Sequence, residues 1–353
     1  MKIALTADAH LTTRAKNPER YNALENIFEQ SVARNVEHLI IAGDLFDQET
    51  GNYSEFESLC GAYSNLQFHI IPGNHDPGIS SKNVTGQNIH VYTRPTFQEI
   101  DSARFLLVPY EEGKSMGEAI APIRHMIGGE PWILVGHGDF YGGVTHPNPL
   151  EPGTYMPLSK SDLERLDPQT VFLGHIHVPH DPVSNVHYVG SPSGLDITET
   201  GRRSFLCYDT SNGTSERVGI ETDVIYFQET FFVIPSGEEL ETLKGQITAR
   251  IDGWDIEAAD YPKVQVRVEA LGYTKDRSAL LQTLEEGFSG FSYYKGQGPI
   301  MADLSFSDDD DQLKLIANRT LEFIEELDWA WGDSREPGKV QVKLAALSVI
   351  YQD

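Results

Sequence analysis

Five short polar motifs in the first half of the chain contain the residue types that bind divalent metal ions and phosphate groups. Each motif combines aspartate, asparagine or histidine, mostly next to glycine. The motifs are Asp8-Ala9-His10, Gly43-Asp44-Leu45-Phe46-Asp47, Gly73-Asn74-His75-Asp76, Gly136-His137 and Gly174-His175-Ile176-His177. Carboxylate, amide and imidazole groups suit Mn²⁺, Fe²⁺ or Zn²⁺. The set is large enough for two cations that share one carboxylate.

Any one of these motifs alone is equally well explained as a turn with a hydrogen-bonded polar side chain. Their positions favour a common site, because each follows a short apolar run. Residues 2–7, 38–42 and 68–71 precede the first three motifs. We predict these runs as buried strands that end at the polar residues. Ligands of α/β folds lie at the carboxyl ends of such strands.

The segments between these runs predict helices, so the chain begins with parallel strand–helix–strand units. Residues 18–34 carry apolar side chains at helical spacing, with Asn17 at the N-cap position and Pro18 at the first helical position. A second helix is predicted around 54–64. Further strands are predicted near 104–108, 132–136 and 170–174, and helices near 115–127 and 159–166. Strands at 187–190, 203–208 and 215–220 are expected to form an antiparallel portion that closes a sandwich.

The character of the sequence changes after about residue 222. Residues 224–234 and 263–271 alternate like strands, and 237–250 and 276–287 are typical of helices. An acidic run, 308–311, precedes a helical stretch over 312–328. This region lacks clusters of metal-ligand residues, so it predicts a second, smaller α+β unit without catalytic chemistry.

Composition limits the classes of protein further. The 353 residues carry a formal net charge of −26, which opposes binding of a polyanion such as DNA unless metal ions or a basic partner offset it. No apolar run approaches the ~20 residues of a membrane span, and the first residues lack a signal-peptide pattern. Only Cys60 and Cys207 occur, so we expect no disulfide framework and a cytoplasmic protein.

The five motifs as they stand resemble the signature of the calcineurin-like metallophosphoesterases: D-x-H, G-D-x-x-D, G-N-H-D/E, G-H and G-H-x-H. The resemblance covers about residues 1–210. It implies a four-layer αββα sandwich with a smaller α+β capping domain. It also implies ligand sets that share Asp44 as a bridge between two metals. The first set is Asp8, His10, Asp44 and His177, and the second is Asp44, Asn74, His137 and His175.

The same resemblance gives roles to residues that do not bind metal. His75 would stand beside the scissile phosphate and stabilise its charge or protonate the leaving oxygen. Asp76 would orient His75, and Asp47 would support the ligands. The implied cofactors are two divalent ions, with Mn²⁺ favoured and Mg²⁺, Fe²⁺ or Zn²⁺ as alternatives. The implied reaction is in-line attack of water on a phosphoester, with proton donation by a histidine.

Finer features are similar to the SbcD-type DNA repair and recombination nucleases, a group that includes the T-even phage recombination nuclease. They are residues 158–177, preceded by 137–140, and residues 188–192, followed by Glu199, Gly201, Arg202 and Arg203. The resemblance implies a nuclease domain over 1–220, a capping domain over 221–300 and a C-terminal helical segment over 301–353. It further implies DNA exonuclease or endonuclease activity, a homodimer and an SbcC-type coiled-coil ATPase partner, with no membrane association.

Several alternatives stay open at the level of sequence. The acidic charge suits a standalone phosphodiesterase or phosphatase acting on a nucleotide or another small phosphoester, and a non-catalytic scaffold is a third possibility. Arg14, Lys16 and Arg20 could reach a DNA backbone or simply belong to a solvated helix start. The C-terminal helix, with Leu313, Ile316 and Leu327 and with Trp329 and Trp331 after it, could dock the ATPase or pack on its own domain.

Overall fold

The chain folds as two units, each with its own apolar core, in the computed structural model, which describes residues 1–48, 53–141, 153–308, 310–327, 329 and 337–351. The first unit comprises Met1–Gly194 and Arg202–Asp223. The second comprises Leu195–Gly201 and Val224–Asp353.

The first unit contains two facing sheets and the helices that connect their strands. Its strands are β1 (Lys2–Thr6), β2 (His38–Ala42), β3 (Gln67–Ile71), β4 (Ile89–Val91), β5 (Thr96–Ile100), β6 (Ala103–Val108), β7 (Ile133–His137), β8 (Phe140–Tyr141), β9 (Leu158–Ser159), β10 (Thr170–Gly174), β11 (His180–Val183), β12 (Val186–Tyr188), β13 (Ser204–Asp209) and β14 (Thr214–Gly219). Its helices are α1 (Pro18–Ala33), α2 (Ser54–Ala62), α3 (Met116–Ile120) and α4 (Lys160–Leu166), and a 3₁₀ helix, Ala121–Met126, continues α3.

Parallel strands form the centre of both sheets. In the described residues one sheet has the order β14-β13-β1-β2-β3-β4 and the other β11-β12-β10-β7-β6-β5. The strands β1 to β4 pair in parallel, as do β6, β7, β10 and β12. The expected antiparallel pairing is confirmed for β13 and β14. It is wrong for the strand expected at 187–190, because β12 lies parallel to β10 and antiparallel only to the edge strand β11.

Helix α1 covers the outer face of the first sheet with one apolar side. Its buried residues include Tyr21, Leu24 and Phe28, which belong to the same core cluster as α2 and the outward side chains of β1 to β3. Pro18 begins the helix as predicted, but Asn17 makes no side-chain capping bond. Its Oδ1 instead accepts a hydrogen bond from Thr12 Oγ1 at 2.8 Å.

The layers of the first unit are helix, sheet, sheet and helix. The second sheet buries its outer face under α3 and α4, where Met116, Ile120 and Leu166 pack with Leu134 and Leu173. The space between the sheets is filled by alternate side chains of the strands. They include Ile3, Leu5, Ile40, Phe105, Val135 and Phe172, all fully buried. The αββα sandwich expected from the resemblance is confirmed.

The second unit is a smaller α+β structure. Its strands are β15 (Ile225–Val233), β16 (Val264–Thr274), β17 (Ser292–Tyr293) and β18 (Leu304–Phe306), and its helices are α5 (Glu239–Asp252), α6 (Arg277–Gly287), α7 (Asp311–Glu326) and α8 (Lys339–Tyr351). Strands β15 and β16 pair in parallel over nine residues, from Ile225 with Val264 to Val233 with Gly272. They are connected through α5, so this unit also contains a strand–helix–strand crossover.

The core between the two sheets should dominate the stability of the first unit. We expect Phe105→Ala to lower the free energy of unfolding by about 3–5 kcal/mol, because a fully buried ring is lost and a cavity remains. Urea unfolding followed by circular dichroism measures this change. The control is Val183→Ala on the edge strand β11, where the valine is 36% exposed. This substitution should change the free energy of unfolding by less than about 0.5 kcal/mol. Equal effects of the two substitutions would contradict this assignment of the core.

Candidate metal centre

The five polar motifs lie at the carboxyl ends of strands from both sheets. The first three motifs follow β1, β2 and β3, and the other two stand at the ends of β7 and β10. Main-chain hydrogen bonds join the first two loops, since Asp8 N donates to Gly43 O and His10 N donates to Asp44 O, each at 3.0 Å. The loops are therefore held side by side before any ligand binds.

One group of potential ligands is formed by Asp8, His10 and His177. One ligand atom from each lies within 4.8 Å of the others, and all three residues are buried or nearly so. The Nε2 atoms of His10 and His177 are 3.2 Å apart. Residues 167 positions apart in the chain thus direct their imidazoles at the same point, which is the arrangement expected of a metal half-site.

A second group is formed by Asp8, Asp44 and His137, whose ligand atoms also lie within 4.8 Å of one another. The Oδ2 atom of Asp44 is 3.3 Å from His137 Nε2 and 3.8 Å from His10 Nε2. Asp8 belongs to both groups, and Asp44 lies close to a histidine of each, so both carboxylates are placed where a bridge between two cations would lie. The assignment of the bridge itself stays a prediction.

Asn74 and His175 complete the surroundings of His137. The Oδ1 atom of Asn74 is 2.8 Å from His137 Nε2, so this amide oxygen points at the same place as the imidazole. The His175 ring is next to that of His137, with centroids 5.5 Å apart. Its main-chain N–H donates to Asp8 Oδ1 at 2.9 Å. All seven predicted ligands are thus brought to this end of the sandwich.

The loops reach these positions through strained backbone conformations. Positive φ angles occur at Asp8 (55°), His10 (45°), Asp44 (49°) and His175 (90°). Left-handed conformations of residues other than glycine cost about 1–3 kcal/mol each and persist where the surroundings enforce them. Four such residues among the seven predicted ligands indicate that side-chain placement at this site outweighs local backbone preference.

Two glycines allow the loops to approach the ligands. At Gly73 an added Cβ would overlap the carboxylate and the main-chain nitrogen of Asp44. At Gly43, where φ is +92°, a Cβ would overlap the ring of His137. The glycines of the second and third motifs are therefore required by close approach as well as by the turn.

Asp76 and His75 stand next to the predicted ligands. A ring nitrogen of His75 forms a third group of potential ligand atoms with His10 and Asp44, all within 4.8 Å of one another, so its assignment as a residue that does not bind metal stays a prediction. The two carboxylate oxygens of Asp76 accept hydrogen bonds from Gly73 N at 2.7 Å and from Phe46 N at 3.0 Å. This carboxylate therefore braces two loops, one of which carries His75, and its orienting effect on the His75 ring stays a prediction. His75 is partly exposed, and its ring meets that of His10 edge-on with centroids 4.6 Å apart.

The pKa values of the buried carboxylates and histidines indicate that the centre lacks positive charge. Burial raises the pKa of Asp8 to about 6 and that of Asp76 to about 7. Burial also opposes charge on His137, but the neighbouring carboxylates of Asp44 and Asp8 raise its pKa to about 10. Burial lowers the pKa of His10 to about 3. Carboxylates kept from water in this way need positive charge nearby.

A buried carboxylate oxygen without a hydrogen-bond partner indicates that these residues fit a divalent-metal centre. The Oδ2 atom of Asp8 is buried and has no hydrogen-bond partner in the described part of the chain. Buried carboxylate oxygens are normally satisfied, and here the groups around this atom are the imidazoles and carboxylates of the two ligand sets. A mixed set of oxygen and imidazole ligands binds Mn²⁺, Fe²⁺ or Zn²⁺, so cations would satisfy the unpaired oxygen and the buried charge together.

Asp139 was not assigned a role from the sequence. Its Oδ1 atom is 3.7 Å from His175 Nε2, and its Oδ2 accepts from Tyr155 N at 2.7 Å. The Tyr155 ring in turn lies 4.7 Å from that of His175. The only sequence signal for Asp139 is its place two residues after His137, which does not by itself distinguish it from an ordinary turn residue.

Comparison with known proteins identifies the class. Residues 1–179 of the 353 match the family described as calcineurin-like phosphoesterase, which is half of the chain. The chain belongs to this family, whose members bind two divalent metals. It is therefore a metallophosphoesterase, a hydrolase of phosphoesters.

Two curated relatives resemble this chain at low identity. Exonuclease subunit 1 of Enterobacteria phage T4 is 26% identical over 238 residues, which cover 61% of this chain and 67% of that protein. An uncharacterized metallophosphoesterase, YhaO, of Bacillus subtilis (strain 168) is 24% identical over 215 residues, covering 55% of this chain and 50% of that protein. The matches thus span about two thirds and half of these relatives.

Solved structures with partial likeness include TT1561 of Thermus thermophilus. It has 12% sequence identity and a TM-score of 0.40, with 62% of this chain and 98% of that chain covered. A novel archaeal phosphodiesterase has 17% identity and a TM-score of 0.32, with 62% and 99% covered.

A glycine substitution tests the close approach that positions Asp44. In Gly73→Ala the new methyl group would displace the Asp44 loop, so we expect Mn²⁺ affinity to fall roughly 10- to 100-fold, as for loss of outer-shell support. Isothermal titration calorimetry measures this affinity. Gly78→Ala is the matched control, because no atom lies within 4 Å of its added Cβ. Unchanged Mn²⁺ affinity in Gly73→Ala would contradict the proposed geometry.

Proposed function

We propose that this chain hydrolyses phosphodiester bonds of DNA as a metal-dependent exonuclease or endonuclease. The observation that carries the proposal is the convergence of Asp8, His10, Asp44, His137 and His177 at one buried centre. The similarity to a phage protein named Exonuclease subunit 1 supports DNA as the substrate. That similarity covers 61% of the chain, more than the family match over residues 1–179.

The ligand sets are proposed as the resemblance implies them. Asp8, His10, Asp44 and His177 would hold one cation, and Asp44, Asn74, His137 and His175 the other. When bound, the two cations would neutralise phosphate oxygens and promote attack by water. We propose Mn²⁺ as the ion, as the resemblance implies, with Mg²⁺, Fe²⁺ or Zn²⁺ as alternatives, since availability decides between divalent metals more than raw affinity does.

His75 is the proposed catalytic residue of the protein itself. It is partly exposed whereas Asp8 and Asp44 are buried, so a phosphate bound at the centre can reach its ring. Its main-chain N–H donates to Asp44 Oδ1 at 2.8 Å, which fixes the loop that carries the ring. From this position the imidazole would hold a proton near the phosphate and donate it to the leaving oxygen.

Asp76 and Asp47 are proposed as positioning residues. Asp76 joins the Gly73 and Phe46 loops through its two main-chain hydrogen bonds. Asp47 Oδ2 lies 3.7 Å from Arg20 Nη1. Both carboxylates therefore support the loops that carry Asp44 and His75 and would not contact the substrate.

A second candidate is a phosphodiesterase or phosphatase that acts on a nucleotide or another small phosphoester. The net charge of −26 favours it, since a small substrate needs no basic groove. The surroundings of Arg14 agree, because its guanidinium pairs with Glu25 at 2.5 Å and is thereby less available to a DNA backbone. A DNA nuclease of this charge would depend on metal ions and a partner to attract its substrate.

We further propose an SbcC-type coiled-coil ATPase partner and a homodimer. Helix α7 has one buried side, formed by Ala317 and Ile324, so packing within its own unit is part of its role. A second apolar stripe, on α7 and the residue that follows it, is solvent-accessible: Ile316, Phe323 and Leu327 are each about half exposed, at 51%, 52% and 50%. Such a stripe is typical of a docking surface, and the name of the phage relative describes a subunit.

The other proposed features depend on the nuclease assignment. The second unit would act as the capping domain over 221–300, followed by the docking segment over 301–353. Trp329 donates its Nε1–H to Ile324 O at 2.8 Å, and Trp331 lies outside the described residues. A cytoplasmic location and a role in DNA repair or recombination are proposed with the function.

Cys60 and Cys207 are both free and buried. Among the described helices, none has the length and apolar character needed to cross a membrane.

Substitution of His75 tests its catalytic role. We expect His75→Ala to retain both metal ions and to lose about 10²- to 10⁴-fold in turnover, as for removal of a general acid. Degradation of linear duplex and single-stranded DNA in Mn²⁺ measures turnover, and atomic absorption measures bound metal. His125→Ala, on the exposed 3₁₀ helix, is the control and should retain full activity.

Two results would contradict the proposal in different ways. Loss of metal in His75→Ala would show that this residue is a ligand. Hydrolysis of small phosphodiesters by the wild-type protein, with no DNA cleavage with or without a candidate ATPase, would favour the second candidate function.

A further inference from the structure

Two arginines contact the main-chain carbonyls of the two histidines that converge on one side of the centre. The Nη1 atom of Arg20, on the first turn of α1, donates to His10 O. The Nη2 atom of Arg203, the residue before β13, donates to His177 O. His10 and His177 are the residues whose Nε2 atoms lie 3.2 Å apart. An arginine hydrogen bond thus fixes the main chain of each of these two histidines, which belong to the half-site of Asp8, His10, Asp44 and His177.

Each arginine is itself fixed by a second contact. Arg203 is 2% exposed, and its Nε donates to Ser191 O at 3.2 Å while Nη2 also donates to Ser191 Oγ. Arg20 Nη1 lies 3.7 Å from the Asp47 carboxylate. A planar guanidinium with several donors can join two acceptors in a fixed geometry, which a lysine ammonium does not reproduce.

The other side of the centre is held in a different way. The ring of His137 is oriented directly, because its Nδ1 lies 2.9 Å from Ala42 O in a hydrogen bond to the end of β2. Its Nε2 is left to face Asn74 Oδ1 and Asp44 Oδ2. This contact does not involve either arginine, so changes at Arg20 or Arg203 should leave His137 in place.

The strained backbone of His10 explains why its carbonyl needs the hydrogen bond from Arg20. His10 has a φ of 45°, and a residue in this conformation needs its peptide group to be held. The His10 N–H donates to Asp44 O and its carbonyl accepts from Arg20, so the peptide groups on both sides of the residue are fixed. The carbonyl of His177 likewise accepts from both Ser191 N, at 3.0 Å, and Arg203.

We propose that Arg20 and Arg203 are positioning residues that set the affinity of the half-site formed by Asp8, His10, Asp44 and His177, and affect the half-site of Asn74, His137 and His175 much less. They act by fixing the backbone of the two histidines. The inference rests on the two-metal site of the proposed function and deepens it. It does not depend on DNA being the substrate.

The test is Mn²⁺ binding to the full-length Arg20→Lys and Arg203→Lys variants without any substrate. Calorimetry gives the two affinities, and electron paramagnetic resonance distinguishes a coupled Mn²⁺ pair from a single ion. We expect one site to weaken about 10- to 100-fold, the range found for outer-shell partners of metal ligands, while the other, which shares only Asp44 with it, weakens much less. At a Mn²⁺ concentration that just fills both sites of the wild type, the spectrum should change from that of a coupled pair to that of a single ion.

Arg104→Lys is the matched control. Arg104 Nη2 also donates to a main-chain carbonyl, Met126 O, at 2.6 Å, but away from the centre. The Arg104→Lys variant should bind two Mn²⁺ ions with the affinities of the wild type. Thermal unfolding establishes that each variant is folded. The Arg20 side chain is 13% exposed and Arg203 is 2% exposed, so Arg20→Lys disturbs the core less and provides the test even if Arg203→Lys does not fold.

Three outcomes would overturn the proposal. They are unchanged Mn²⁺ binding in folded Arg20→Lys, unchanged Mn²⁺ binding in folded Arg203→Lys, and equal weakening of both sites in either variant. Absence of DNA cleavage by the wild type would overturn the nuclease proposal and leave this one standing, because metal affinity is measured without substrate.

Discussion

The candidate site of the first unit depends on one constraint: the carboxylates of Asp8 and Asp44 are buried away from water and have imidazoles as their ion-pair partners. Asp8 is fully buried and Asp44 is 1% exposed, and in the described residues their ion pairs are with histidines. Isolated buried charges cost several kcal/mol each. A pair of divalent cations would reverse this balance, since a bound cation is the largest charge in such a site. Binding of the cations would also offset the cost of the strained backbone at Asp8, His10, Asp44 and His175.

The sandwich supplies the rigidity that this arrangement requires. Parallel strands from two sheets end at the same side of the molecule, so residues far apart in the chain meet there without long connections. The core between the sheets, around Leu5, Phe105 and Phe172, fixes the distance between the loops. Hydrogen bonds between the loops, such as those accepted by Asp76, transmit that order to the ligands. The site is thus a consequence of the fold and of a few contacts at its rim.

Much of the fold and the candidate site could be predicted from the sequence because the signals are local. Apolar runs that end at polar residues gave the positions of β1, β2 and β3, and the glycines next to Asp44 and Asn74 marked the loops. Short edge strands such as β4 and β11 carry too few residues for a periodic pattern. The bounds of helix α8 were not predicted from periodicity, because its sequence, KVQVKLAALSVIY, begins with the alternation of a strand, and only the resemblance implied a helical segment over 301–353.

Residues that act through long-range contacts were the hardest to interpret. The contacts of Asp76 are with main-chain donors in two loops, which no spacing reveals. Arg20 was considered a possible DNA contact, whereas its guanidinium turns towards His10 O. Arg203 lies 26 residues from its acceptor His177, and only the folded chain brings them together. Local motifs therefore predicted what the site contains, and tertiary contacts decide how it is held.

Anomalous diffraction from crystals grown with Mn²⁺ tests the central claim most directly. Data collected on both sides of the manganese absorption edge should show two peaks, one on each side of the Asp44 carboxylate. One peak should be within bonding distance of His10 and His177, and the other within bonding distance of Asn74, His137 and His175. A single peak remote from Asp44, or none between these side chains in saturating Mn²⁺, would contradict the account.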